Sequence, residues 1–161
     1  MIILGIDPGY ARIGYGVLEK NLKSLSLIDS GIITTSKDYS FTDRLMKIQK
    51  DLDKLLKKHK PDLVAIEKLF FFKNAKTAFG VGQAWGVILL TVAKQKIPIV
   101  EQTPLQIKQS VTGYGQANKE QLHNMLKIIF KISSIPKPDD IADGIACAFC
   151  AAQKTRNISR L

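Results

Sequence analysis

Hydrophobic positions change period along the chain. Ile2 to Ile6 is almost uninterruptedly apolar, the pattern of a strand covered on both faces, and it stops at the turn signal Asp7-Pro8-Gly9. Ile13–Leu18 and Leu25–Thr35 predict two more strands. Their short polar connections predict an antiparallel meander. The period then lengthens: Phe41, Leu45, Ile48, Leu52, Leu55 and Leu56 recur at helical spacing, and Pro61 ends the run. Ser40 and Asp43 predict a capping box at its start, with Asp in the usual place of Glu. Leu63 to Ile66 is a second buried-strand pattern, and it ends on Glu67. A helix is predicted over 74–95, then a short strand at Ile97–Val100 whose Pro98 marks a sheet edge. A short helix over 104–111 follows. Asn118 caps a helix carrying Leu122, Met125, Leu126 and Ile129, and Pro136 and Pro138 open a last helix over 139–153.

Three strands, helix, strand, helix, strand, helices is the order of an α/β domain: a mixed sheet with helices on both faces. The expected organisation is one domain, 1–153, and a flexible basic tail, 154–161. No linker, repeat or low-complexity tract divides it.

Charge narrows the function. The 161 residues hold 24 Lys+Arg against 14 Asp+Glu, a net charge of +10. A polyanion is the expected partner, nucleic acid before an acidic membrane. No apolar run reaches the ~18–20 residues of a membrane span, and no leader pattern opens the chain, so a cytoplasmic protein is expected. Cys147 and Cys150 have no second C-x-x-C, and read as small buried thiols on one helix face. Lys57-Lys58-His59-Lys60 reads as a solvated helix end.

The acids are few, so their places matter. Asp7 and Glu67 each stand at the carboxyl end of a buried strand, where open α/β sheets bind ligands. If those strands are neighbours, the two acids meet. Asp140 and Asp143, three apart, share a face at the start of the last helix. Dipole complementation would also explain them. Yet Asp143 lies among small, closely packing residues, where a carboxylate needs a partner. Hard oxygen ligands suit Mg²⁺ or Mn²⁺. Four carboxylates could hold two such ions ~3.5–4 Å apart for phosphodiester hydrolysis.

The ordered series Gly5-Ile6-Asp7-Pro8-Gly9, Gly14-Tyr15-Gly16, Ala65-Ile66-Glu67, Phe70, Lys73-Asn74, Gly82-Gln83-Ala84, Thr103-Pro104, Lys108, Gly113, Lys119 and Asp140-x-x-Asp143 resembles the RuvC Holliday-junction resolvases. The resemblance implies a ribonuclease-H-like fold with a five-stranded mixed sheet, three strands antiparallel and two parallel. It implies a homodimer that makes paired symmetric nicks in four-way DNA junctions with Mg²⁺ or Mn²⁺, beside a branch-migration motor. It further implies Asp7, Glu67, Asp140 and Asp143 as metal-binding catalytic acids, with Lys108 and Lys119 near the scissile phosphate. Phe70, Phe71, Lys73 and Lys76 are the remaining candidate DNA contacts, the aromatics by stacking on unpaired bases. Tyr10, Gly144 and the two cysteines depart from the family pattern without removing an acid.

Gly80, Gly82 and Gly86 sit inside a predicted helix, where each costs up to ~1 kcal/mol relative to Ala. Close packing would offset that, against the sheet or a second subunit. Three functions compete with the resolvase. A sugar-kinase-like ATPase shares Gly5-Ile6-Asp7-x-Gly9 but needs a second domain. Another ribonuclease-H-like nuclease would use the same acids. A basic DNA-binding module without catalysis would explain the charge, but not acids at two strand ends.

Overall fold

Alternate residues of each strand face opposite helix layers. The computed structural model describes residues 1–69 and 75–155, the side chains of 75–77 excepted. In chain order the elements are β1 (Ile2–Asp7), β2 (Arg12–Lys20), β3 (Leu25–Thr34), α1 (Phe41–His59), β4 (Leu63–Glu67), α2 (Ala75–Lys94), β5 (Ile99–Gln102), α3 (Pro104–Thr112), α4 (Lys119–Phe130) and α5 (Asp140–Lys154). The sheet order is β3-β2-β1-β4-β5. β1, β2 and β3 form the expected antiparallel meander, and β4 and β5 run parallel to β1. This is the ribonuclease-H-like arrangement. β5 is the edge strand, but it starts after Pro98, which has no N–H to give the ladder and only accepts from Val64 N–H, and it runs on to Gln102, paired with Glu67.

Leu4, Ile6, Val64 and Ile66 pack with Ile48 and Leu52 of α1 and Ile88 and Val92 of α2. Ile3 and Ala65 point the other way, into a core built by α3, α4 and α5. Each large apolar side chain so buried contributes ~1.5–3 kcal/mol.

α5 is the central helix of its layer, buried from Gly144 through Ala152. Small residues bring it unusually close to the sheet. A Cβ at Gly144 would lie 2.6 Å from Tyr15 Cα, and one at Gly16 would lie 2.5 Å from Ile145 Cα. Gly5 faces the backbone of Gly144 and Ala148 in the same way, and Gly14 faces that of Asp140. The departure at Gly144 therefore has a packing reason.

The α2 glycines divide. A Cβ at Gly80 would touch the Tyr10 ring at 3.5 Å, whereas one at Gly86 would meet nothing within 4 Å. Packing on the sheet does not account for Gly86. Phe79 and Leu90, about two turns before it and one turn after it, are also exposed.

Caps correct one expectation and bear out another, the cap at Asn118. Ser40 Oγ accepts from Asp43 N–H, but the Asp43 carboxylate accepts from the Ser40 hydroxyl and not from its backbone, so the box is half made. Asp139 caps nothing with its side chain. Complete boxes form at Asn118–Gln121 and at Thr103–Gln106. The basic end of α1 is internally paired: Lys58 and His59 both reach Asp29, at 2.8 and 2.7 Å.

Candidate active site

Register, more than sequence distance, assembles the site. β1 and β4 pair Ile6 with Ile66, so Asp7 and Glu67 leave the sheet side by side. Both share the parity of Ile3 and Ala65 and face the α5 layer. β4 and β5 then pair Glu67 with Gln102. α5 opens over this corner with Asp140 as its first residue and Asp143 within its first turn. The glycine contacts with β1 and β2 hold that helix end down.

The four acids feel one another. Burial pushes the Asp7 carboxyl well above the usual carboxylate range, and the charges of Glu67, Asp143 and Asp140 push it further, against Lys119. Glu67 is raised to about 7, first by burial and then by Asp143, with Lys108 opposing. Asp143 is raised chiefly by burial, with Lys119 and His123 opposing and Asp140 and Asp139 adding. Asp140 is held by Arg12 at 3.7 Å, and Asp139 by Lys119 at 3.3 Å. Among the described residues no hydrogen bond or salt bridge reaches the carboxylates of Asp7, Glu67 or Asp143.

Three desolvated, mutually repelling carboxylates with no protein cation in direct contact, Lys119 and Lys108 acting only at longer range, call for a bound one. The donors are hard oxygens, which fit Mg²⁺ or Mn²⁺ rather than zinc. Among the described residues no three such groups are already closed into a ligand cluster. Arg12, Lys119, Lys137, Asp139, Asp140 and Asp143 line an open cleft of about 590 Å³ here. A larger hollow of about 720 Å³ lies by Lys20, Leu22 and Ala152 and contains no acid.

Lys108 on α3 and Lys119 on α4 stand near enough to act on the acids, Lys108 on Glu67 and Lys119 on Asp7 and Asp143. Lys76 lies in α2, its side chain undescribed, and Phe70, Phe71 and Lys73 lie outside the described residues. Arg12, His123 and Gln102 were missed by sequence reasoning. Arg12 had a faint signal, a lone cation just after the Asp7-Pro8-Gly9 turn. Gln102 had none, because only strand register places it. Cys147 and Cys150 are free buried thiols, and burial pushes Cys147 far up, so it is inert.

The family described as crossover junction endodeoxyribonuclease RuvC matches residues 3–151. A relative described as "Crossover junction endodeoxyribonuclease RuvC" from Petrotoga mobilis is 56% identical over 150 residues, covering 93% of this chain and 92% of that one. A solved Thermus thermophilus RuvC superposes with a TM-score of 0.87 at 30% identity, covering 98% and 96% of the two chains. The same protein in complex with Holliday junction substrate also gives 0.87, at 27% identity and the same coverage.

Proposed function

Because the chain belongs to the RuvC family of crossover junction endodeoxyribonucleases, we propose that it resolves four-way DNA junctions by paired symmetric nicks in recombination and repair. The observation that carries this reading is the convergence of Asp7, Glu67, Asp140 and Asp143 at one corner of the sheet. These four would hold the divalent ions, Mg²⁺ with Mn²⁺ as substitute, two per site. Bound there, such ions activate a water and balance charge on the leaving oxygen of a phosphodiester.

The remaining side chains position the strand. Lys119 and Lys108 stand where they neutralise the phosphate flanking the cut, and Arg12 steadies Asp140. Lys73 and Lys76 are further DNA contacts in this reading, and Phe70 and Phe71 stack on bases unpaired at the junction centre. Residues 1–153 act as one nuclease domain and 154–161 as a basic tail, in a cytoplasmic protein beside a branch-migration motor. Among the described residues no helix is long and apolar enough to cross a membrane.

Two cuts need two sites, hence a homodimer. The open stripe of Phe79, Gly86 and Leu90 on α2 is the surface proposed for it. Leu90→Glu is expected to give a monomer by sedimentation equilibrium; an unchanged dimer removes α2 from the interface.

The deciding assay compares a synthetic four-way junction with linear duplex in Mg²⁺. Selective nicking of the junction is expected. Equal cutting of both leaves a nuclease of this fold but ends the resolvase reading.

A further inference from the structure

Gln102 is fully buried, and neither its Oε1 nor its Nε2 has a hydrogen-bond partner. Among the described residues no other side chain leaves two buried polar atoms in that state. An amide left so destabilises a fold, and Leu or Met of similar volume would fill the space without the penalty. A buried, unsatisfied group of this kind calls for a reason beyond packing.

Its place supplies the reason. The β4–β5 register sets Gln102 directly beside Glu67, and Glu67 stands beside Asp7 on β1. Val100, two residues earlier on β5, packs into the α3–α5 core, so Gln102 has the parity of the two acids. The sheet thus presents a row of three side chains, Asp7, Glu67 and Gln102, under the start of α5. The third is the neutral one. It offers an N–H without adding a fourth like charge.

We propose that Gln102 is a positioning residue for Glu67: when a divalent ion fills the site, its amide N–H would donate to the Glu67 carboxylate and hold it toward that ion, a bond not made in the metal-free chain. The inference rests on the metal-site reading above. Gln102 touches neither the phosphate nor the attacking water, and acts only through Glu67.

The test uses Gln102→Met and, as a second packing solution, Gln102→Leu in the full chain. Mn²⁺ binding without DNA is measured by calorimetry, and the melting temperature is measured in EDTA. Both variants are expected to bind Mn²⁺ about tenfold more weakly. Their metal-free melting temperatures are expected to rise by about 2–4 °C, because an unpartnered amide is gone. A purely structural role predicts the opposite pair of results. Unchanged Mn²⁺ affinity in either folded variant overturns the proposal, as does a lower metal-free melting temperature in both. Asp7→Asn is the control that separates the two readings. If it binds Mn²⁺ as tightly as the parent, the metal site itself is wrong, whatever Gln102 does.

Discussion

Glu67 ties the site's electrostatics to a measurable pH dependence. Its ordinary value is 4.5, and burial followed by the Asp143 charge lifts it to about 7 in the folded chain. Between those values the folded state holds a proton that the unfolded state has lost. Stability of the metal-free protein therefore falls as pH rises through that window. At ~1.4 kcal/mol per pH unit the loss is at most about 3.5 kcal/mol. Asp7 and Asp143 are raised and act in the same direction. Asp29 acts oppositely: burial would raise it, but the Lys58 and His59 hydrogen bonds outweigh that and lower it below 3.8. Its contribution is lost only in acid, outside the window. Thermal melts in EDTA should drop between pH 5 and 8, and saturating Mg²⁺ should remove most of the drop by binding the ionised form. A metal-free melting temperature that climbs over this range contradicts the assignment.

At the level of elements, α5 decides whether the acids meet. Its first turn carries two of them, and its glycine contacts set how near they come to the other two. Gly144→Ala should cost about 1–3 kcal/mol in urea melts, since its Cβ would be driven to 2.6 Å from the β2 backbone. Activity should fall with it as the first turn lifts; a fully stable, fully active variant would show that the close approach is not needed. Periodicity made these elements legible: apolar runs ending in Asp7 and Glu67 were readable as strands, and the helical spacing from Phe41 to Leu56 as α1. Register was not readable. No local pattern says that Ile6 lies beside Ile66 or that Glu67 lies beside Gln102. The strand alternation and the Pro98 signal likewise left β5 two residues out of place. Caps depend on side-chain rotamers as well as residue type, which is why the Ser40–Asp43 box is only half made.

The whole molecule is a cationic body around an acidic corner. With four acids gathered at the site, ten of the 14 are left to face 24 cations, and all but Arg12, Arg44, Arg156 and Arg160 of these are lysine. Lysines grip phosphates as point charges and read bases poorly, which suits recognition of a branched backbone. Binding and cutting should thus separate cleanly. Asp7→Asn removes one carboxylate charge from the most repulsive position and leaves the basic surface intact. The most direct measurement is four-way junction binding and nicking by Asp7→Asn beside the parent chain, in Mg²⁺ and across 50–200 mM salt. The account predicts binding as tight as the parent's, weakening steeply with salt, and nicking reduced by at least about a thousandfold. Normal nicking by Asp7→Asn would contradict it.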